Sequence, residues 1–351
     1  MRVVSVRTPF LTEDPQKGPA GKFCRTEPSA ECPWCNHRFR SSPTAPSESR
    51  SAKVRTPTDK PALGGPADVV ACPDRGALQP IAAKVLMKIL YAARMARFDL
   101  LRAVCHLACF ITKWADEHDR RLHRLACYIH TTKSHRMVGW VGDPASALSL
   151  HVYADADFAG CTDTQRSTSG FHLQMRGSHI CFPLSGVSKR QNCVSHSTPE
   201  AELVAASYAL RQCGLPAQAL WDRMCVPRLP TAAGDPASSF GPSLRVLVDN
   251  QAMIACVRSG RNPTMRYLGR TRRISVVWLK EVCDAPRVHL AFVESAQQAA
   301  GIFAKASTDF VRWTHVCSPI RIGTPATFLA EATSFLPPPD GGGLCLLRHQ
   351  F

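Results

Sequence analysis

The chain has 351 residues, 45% of them hydrophobic, which is enough for one or two folded domains with flanking segments. Its 43 lysine and arginine residues outnumber its 27 acidic residues. The net charge of +16 favours a polyanionic partner, nucleic acid first, and a merely basic soluble surface is the alternative. No apolar run reaches the length of about 18 residues that a membrane helix needs, and the first apolar run is too short for a signal peptide, so no membrane association is expected.

The 16 cysteines are spread along the chain without the regular spacing of a disulfide framework. We interpret them as reduced thiols, several of them in helix cores, such as Cys105, Cys109 and Cys127. Reduced thiols predict an intracellular protein, cytoplasmic or nuclear.

Residues 1–79 are rich in Pro, Ser, Thr and Gly and lack apolar periodicity, so we predict a disordered arm. Within this arm a small group of residues resembles zinc ligands: Cys24, Cys32, Cys35 and His37. A structural zinc site needs two well-spaced pairs, and the second pair is missing. A zinc site is therefore an open alternative and not the prediction.

Residues 80–146 show helical periodicity and form a predicted helical connector. The apolar residues that repeat at helical spacing include Val85, Leu86, Ile89, Leu90, Leu100, Leu101, Val104, Leu107 and Ile111. The stretch DEHDRRLHRLACYIHTT is a further amphipathic helix whose basic side is solvated or faces phosphates.

From Leu148 the apolar period changes to two, which is typical of strands. The segments LSLHVYAD, GFHLQM and HICFPL predict an antiparallel meander. A helix follows, with Ser197 and Glu200 as a capping box and Gly214 as its C-cap.

The remaining elements, in chain order, are a strand (LRVLVDN), a helix ending at Gly260, a helix (RTRRISVVWLKEVCD), a strand (RVHLAFVE) and a final helix (SAQQAAGIFAKAS). Residues 311–351 read as an irregular tail. The order predicts an α/β domain over residues 147–310, with a mixed five-stranded sheet flanked by helices.

Three acids fall where this sheet could bring them together. Asp155 ends the first strand, Asp249 ends the fourth, and Glu202 lies near the start of the first long helix. If the first and fourth strands are neighbours, the three carboxylates converge and repel one another unless a cation such as Mg²⁺ or Mn²⁺ neutralises them. Taken singly, each acid is better explained as a structural residue, and Asp157 and Asp163 read as turn or cap residues.

Four segments carry a family resemblance: YADADFAGCTDTQRSTSGF, SKRQNCVSHSTPEAELVAAS, VLVDNQAMIA and VESAQQAAGIFAKA. In this order, over residues 148–307, they resemble the ribonuclease H domain of copia-type retrotransposon polyproteins. The connector before them resembles the segment that links the reverse transcriptase of these elements to ribonuclease H. The polymerase palm itself is absent from the sequence, so the chain resembles the C-terminal piece of a polyprotein.

The resemblance implies a ribonuclease H-like fold and a nuclease that uses four acids and two divalent ions, Mg²⁺ or Mn²⁺. Asp155, Glu202 and Asp249 match the first three acids, as catalytic residues and metal ligands, and Gly301 stands at the position of the fourth. Glu294 and Asp309 are the nearest replacements in sequence. They lie seven residues before and eight residues after Gly301, at least about 10 Å away in a helix, so neither is expected to substitute well.

The function implied by the resemblance is divalent-metal-dependent, endonucleolytic hydrolysis of the RNA strand of RNA/DNA hybrids. Arg270, Arg272 and Arg273, from an arginine cluster after the third acid, are the candidate phosphate contacts. The expected partners are an RNA/DNA hybrid or another nucleic acid and, as a further possibility, the reverse transcriptase polymerase domain. Because the fourth acid is missing, a non-catalytic nucleic-acid-binding remnant is the first alternative, and a host interaction module that reuses the fold is a second.

Overall fold

The computed structural model describes residues 2–11, 76–161, 164–225, 241–261 and 274–329, together with two short strands. Those strands, Ala30–Glu31 (β1) and Arg38–Phe39 (β2), pair antiparallel within a separate unit of residues 12–75. The candidate zinc ligands lie outside the described residues: Cys24, Cys32, Cys35 and His37. Residues 2–11 and those from 76 onward form the larger unit.

Helices and strands alternate along the larger unit. The helices are Gln79–Met95 (α1), Leu101–Ala108 (α2), Asp116–Thr131 (α3), Thr198–Ala209 (α4), Leu215–Cys225 (α5), Gln251–Ser259 (α6), Val276–Cys283 (α7), Gly301–Ala304 (α8) and Phe310–Cys317 (α9). The strands are Arg136–Met137 (β3), Trp140–Val141 (β4), Ser149–Asp157 (β5), Thr168–Arg176 (β6), Ile180–Arg190 (β7), Ser243–Val248 (β8), Val288–Phe292 (β9) and Ile322–Gly323 (β10).

The central sheet has the order β4-β7-β6-β5-β8-β9. Strands β7, β6 and β5 pair antiparallel as a meander, whereas β5, β8 and β9 pair parallel. This confirms the predicted mixed sheet and the neighbouring positions of its first and fourth strands. The sheet has one strand more than predicted, because β4 adds two residues beside β7 and two residues are too few to show an alternating pattern.

Helices cover both faces of this sheet, so β6 is buried along nearly its whole length and not at alternate residues. On one face, Val152 and Ala154 of β5 pack with α4, α6 and α7. Tyr153, between them, points to the other face and packs with α1, α2, α3, α8 and α9. The predicted connector helices therefore form one of the two helical layers.

Residues 2–11 differ from the predicted disordered arm of residues 1–79. Val6 is buried in the same core as the connector helices, and its N–H donates a hydrogen bond to Oγ1 of Thr131 at the end of α3 (3.1 Å). The carbonyl of Thr8 accepts one from Nε of Arg124 (2.9 Å). A single short apolar run shows no periodicity, so this packing could not be predicted from the pattern of residues.

The predicted irregular tail from residue 311 also contains structure. Asp309 caps α9 by accepting a hydrogen bond from the N–H of Val311 (3.0 Å). Trp313 of this helix is buried, and its indole N–H donates to the hydroxyl of Tyr128 in α3 (3.0 Å). Helix α9 thus packs in the same layer as the connector helices. The boundaries 80–146 and 147–310 remain predictions.

The first long helix was predicted to end at Gly214, but in the structure it continues beyond this residue. It passes through a π turn at Leu210–Gly214 and continues as α5 to Cys225. A Cβ at Gly214 would lie 3.2 Å from Cδ2 of Leu244 in β8, so this glycine allows close packing against the sheet. By contrast, Gly260 has the left-handed conformation (φ 66°) of a C-cap and ends α6 as predicted.

In the part of the chain that the structure describes, none of the helices combines the length and the apolar character that crossing a bilayer requires.

Packing of the amino-terminal segment predicts a stability effect. Val6→Asp should lower the free energy of unfolding by about 1–3 kcal/mol, because it places a carboxyl group in an apolar contact. Val3→Asp is the matched control, since Val3 is 56% exposed and Val6 is 7% exposed. Denaturant unfolding measures both. Equal midpoints for the two variants would show that the segment does not pack on the domain.

Candidate metal centre

Asp155 lies near the carboxyl end of β5, at the centre of the sheet, and is fully buried. Strands β5 and β8 run parallel in continuous register, so their carboxyl ends meet at one edge. Asp249 directly follows β8 at that edge. The next residue, Asn250, caps α6 by accepting a hydrogen bond from the N–H of Met253 (2.9 Å), so capping does not occupy the carboxylate of Asp249.

Helix α4 brings the third acid to the same edge. Its first turn is closed as predicted, with Oγ of Ser197 accepting a hydrogen bond from the N–H of Glu200 (3.4 Å). Small side chains then let the helix approach β5 closely, and Ala201 packs with Ala156. Glu202 is consequently 3% exposed and points to the end of β5.

Asp155, Glu202 and Asp249 form one cluster, in which a carboxylate oxygen from each lies within 4.8 Å of the others. Among the described residues, Oδ2 of Asp155 and Oε2 of Glu202 are buried without a hydrogen-bond partner. Buried carboxylate oxygens without partners are costly unless a cation or a proton lies between them. Hard oxygen donors of this kind fit a Mg²⁺ or Mn²⁺ ion.

Two acids of the cluster, Asp155 and Glu202, have raised pKa values. Burial raises the pKa of Asp155, and the ammonium of Lys305 opposes this effect. Burial, followed by the negative charges of Asp155 and Asp249, raises the pKa of Glu202 to about 9. Without a divalent cation, Glu202 therefore holds a proton at neutral pH, and cation binding would release it.

Gly301, at the expected position of a fourth acid, faces the cluster. A Cβ at this glycine would have one neighbouring side-chain atom, Oδ2 of Asp155, at 3.7 Å. The predicted final helix is shorter than expected, because a 3₁₀ turn at Ser295–Gln297 precedes the four-residue α8. Gly301 nevertheless lies beside Asp155, where the resemblance implies a fourth acid.

Close contact with the sheet holds α8 in place. A Cβ at Gly170 of β6 would lie 2.6 Å from the carbonyl oxygen of Ala300 and 2.8 Å from the N–H nitrogen of Ala304. The side chain of Gln298 donates to the carbonyl of Ala154 in β5 (3.0 Å). Arg102, a buried connector residue, donates from Nε to the carbonyl of Ala304 (2.8 Å).

The acids considered as replacements do not enter the cluster. Glu294 and Asp309 are both exposed, and Asp309 caps α9. The neighbour of Glu294 does take part, because the hydroxyl of Ser295 donates to Oδ2 of Asp249 (2.7 Å).

Lys305 is the functional-site residue that sequence reasoning missed. Its Nζ lies 2.9 Å from Oδ1 of Asp155, and its side chain is 44% exposed. Burial lowers the pKa of Lys305, but the negative charges of Asp155, Asp249 and Glu202 raise it, and the net shift is upward. A lysine four residues after a missing acid was the available signal.

The other predicted residues have separate positions. Asp157 accepts a hydrogen bond from the N–H of Thr168 and forms an ion pair with Arg102 (3.4 Å). Both contacts agree with a structural role. Asp163 and the predicted phosphate contacts lie outside the described residues: Arg270, Arg272 and Arg273.

No family model matches the chain. Over 106 residues it is 39% identical to the Retrovirus-related Pol polyprotein from transposon RE2 of Arabidopsis thaliana, an overlap of 30% of this chain and 7% of that polyprotein. Over 124 residues it is 32% identical to Secreted RxLR effector protein 161 of Plasmopara viticola, which covers 35% of this chain and 82% of that protein. The chain thus spans a small part of the first relative and most of the second.

Among solved structures, LC11-RNase H1 isolated from compost aligns with 44% of this chain and 92% of its own, with 12% identity and a TM-score of 0.30. The strand order and directions described above carry the assignment of the fold.

The close approach of α8 predicts a contrast between two glycines. Gly170→Ala should lower the free energy of unfolding by about 1–3 kcal/mol, because its methyl group overlaps backbone atoms of α8. Gly301→Ala should leave stability nearly unchanged, because its methyl group would make an ordinary van der Waals contact with Oδ2 of Asp155 at 3.7 Å. Thermal unfolding of both variants tests this. A Gly170→Ala variant as stable as the parent would mean that α8 is not seated on β6.

The proton on Glu202 predicts a pH dependence in chelating buffer. The unfolded state loses this proton near the ordinary pKa of 4.5, whereas the folded state keeps it up to about 9. This group therefore lowers the free energy of unfolding as the pH rises between those values. Glu202→Gln should flatten that fall, whereas Glu294→Gln, an exposed control, should not. Parallel pH profiles of the parent and Glu202→Gln would refute the assignment.

Proposed function

We propose that this chain, whose homologues include retrovirus-related Pol polyproteins, catalyses divalent-metal-dependent, endonucleolytic hydrolysis of the RNA strand of RNA/DNA hybrids. The observation that carries the proposal is the convergence of Asp155, Glu202 and Asp249 within 4.8 Å at the carboxyl edge of a ribonuclease H-like sheet. These residues are the proposed catalytic acids and metal ligands.

Each acid has a distinct part in the proposed site. Asp155 offers its open oxygen Oδ2 from the rigid central strand, and Glu202 offers Oε2 once its proton has left. Asp249 is held by the hydroxyl of Ser295 and completes the set from the next strand. A Mg²⁺ or Mn²⁺ ion held by this set would supply activation of a water and stabilisation of the leaving oxygen in phosphodiester hydrolysis.

The nucleic acid would approach the same edge of the sheet. Arg190 pairs in register with Thr168, which pairs with Asp157, so this arginine lies two strands, roughly 10 Å, from the end of β5. Together with the proposed contacts Arg270, Arg272 and Arg273, it would bind phosphates. Preference for RNA over DNA in the cleaved strand would depend on contacts to the 2′-hydroxyl.

A second candidate function is non-catalytic binding of nucleic acid by a remnant of such a domain. Two observations favour it: Gly301 supplies no ligand atom, and the ammonium of Lys305 already neutralises Asp155. The net charge of +16 would support binding whether or not the site cleaves.

The copia-type resemblance extends the proposal to the whole polyprotein. The chain spans 7% of the length of its relative from transposon RE2. In a longer protein, the reverse transcriptase polymerase domain would produce the hybrid that this domain cleaves, within the cytoplasm or nucleus.

The direct test is cleavage of an RNA/DNA hybrid by the purified full chain, in Mg²⁺ and then in Mn²⁺. We expect low activity in the parent and a rise of about tenfold or more in Gly301→Asp, because the new carboxylate faces Asp155 and adds a metal ligand. Asp155→Asn in the Gly301→Asp background is the control and should abolish the gain.

Hybrid binding measured in chelator separates the two candidate functions. Binding without cleavage in both the parent and Gly301→Asp would support the remnant and reject the nuclease. A parent that cleaves as fast as Gly301→Asp in Mg²⁺ would show that the fourth acid is not needed.

A further inference from the structure

Lys305 forms an ion pair with the most deeply buried acid of the candidate metal centre. Its Nζ lies 2.9 Å from Oδ1 of Asp155, whose side chain is fully buried, while the lysine side chain is 44% exposed. The ammonium therefore reaches the cluster from the solvent side. A divalent cation entering from solvent would meet this charge before it reached Asp155.

The backbone fixes this placement. Helix α8 ends at Ala304, Lys305 takes an extended conformation, and its N–H donates to the carbonyl of Gly301 (2.9 Å). The chain at this point is held on the sheet by Gly170 and by Arg102. Lys305 is thus aimed at Asp155 by the same contacts that place Gly301 beside it.

The two carboxylate oxygens of Asp155 have different surroundings. Oδ1 is neutralised by Lys305, whereas Oδ2 has no partner among the described residues and lies 3.7 Å from where a Cβ at Gly301 would be. The missing side chain at Gly301 would otherwise have added negative charge on that side. Among the described residues, Lys305 is the cation whose charge acts on both Asp155 and Glu202.

We propose that Lys305 is an internal competitor for the divalent ion: it occupies Oδ1 of Asp155 and must move away before an ion can bind that carboxylate in full. The site consequently holds a divalent ion weakly, and the lysine keeps Asp155 compensated when no ion is bound. The inference rests on the proposed function only in taking Asp155, Glu202 and Asp249 as metal ligands.

Calorimetric titration of the full chain with Mn²⁺ alone tests this. Lys305→Met should bind Mn²⁺ at least about tenfold more tightly than the parent, because a unit charge a few ångströms from the ion is removed. Lys280→Met is the matched control: Lys280 is also ion-paired to an aspartate (Asp284, 2.6 Å), its side chain is 38% exposed, and it lies on α7 away from the acids. This control should bind as the parent does.

A second measurement uses the unaltered chain and so does not depend on the folding of a variant. Mn²⁺ should increase the reactivity of Lys305 toward an amine-acylating reagent, read by mass spectrometry, and leave Lys280 unchanged. Tighter binding in Lys305→Met, or exposure of Lys305 by Mn²⁺, supports competition.

Unchanged or weaker Mn²⁺ binding in a folded Lys305→Met variant overturns the inference, as does Mn²⁺ binding that leaves Lys305 acylation constant. Neither readout requires cleavage, so a chain that fails to cut hybrids would lose the proposed function while these results still decide the role of the lysine.

Discussion

The parallel pairing of β5 with β8 is the interaction on which the candidate site depends. It starts at Ser149 with Ser243 and continues to Tyr153 with Leu247, so both strands end at one edge of the sheet. Antiparallel pairing would send Asp155 and Asp249 to opposite edges. The core of Val152, Ala154, Val246 and Val248 stabilises this register through the apolar surface that it buries. The free energy gained by burying this core therefore offsets the repulsion among the acids.

Two close approaches bring the remaining groups to the same place. Alanines let α4 approach β5, and Gly170 lets α8 approach β6. The first approach adds Glu202 and the second adds Gly301 and Lys305. The negative charges therefore come from the ends of β5 and β8 and from α4, whereas the compensating positive charge, Lys305, comes directly after the short α8. The balance of charge in the cluster depends on how firmly that short helix is held.

Much of the architecture was predictable because local patterns and the global fold agree. Alternating apolar residues indicated the meander, the continuous apolar run of β8 indicated a buried central strand, and Ser197 and Gly260 marked helix ends correctly. The three acids were found because each follows or flanks such an element. These local patterns were enough to predict the fold class and the three acids that the structure brings together.

The misses have a different physical origin. Gly214 looked like a helix end, but its function depends on a contact with Leu244 far along the chain. Val6 and Trp313 belong to short segments whose burial is decided entirely by partners in the connector layer. Lys305 was overlooked because a four-residue helix gives no periodic signal and the orientation of the following side chain depends on tertiary contacts. Contacts of this range leave little trace in local sequence.

The hydrogen bond from Arg102 to Ala304 joins groups 202 residues apart, one in the connector and one in the last turn beside the acids. Its consequence concerns modularity. Helix α8 has its terminal carbonyl bonded by Arg102, a residue that precedes the whole central sheet, so the connector and the sheet region are not interchangeable segments. Recombination that joined this region to a foreign connector would leave that carbonyl buried without its donor. The connector and the sheet region are therefore expected to depend on each other for folding.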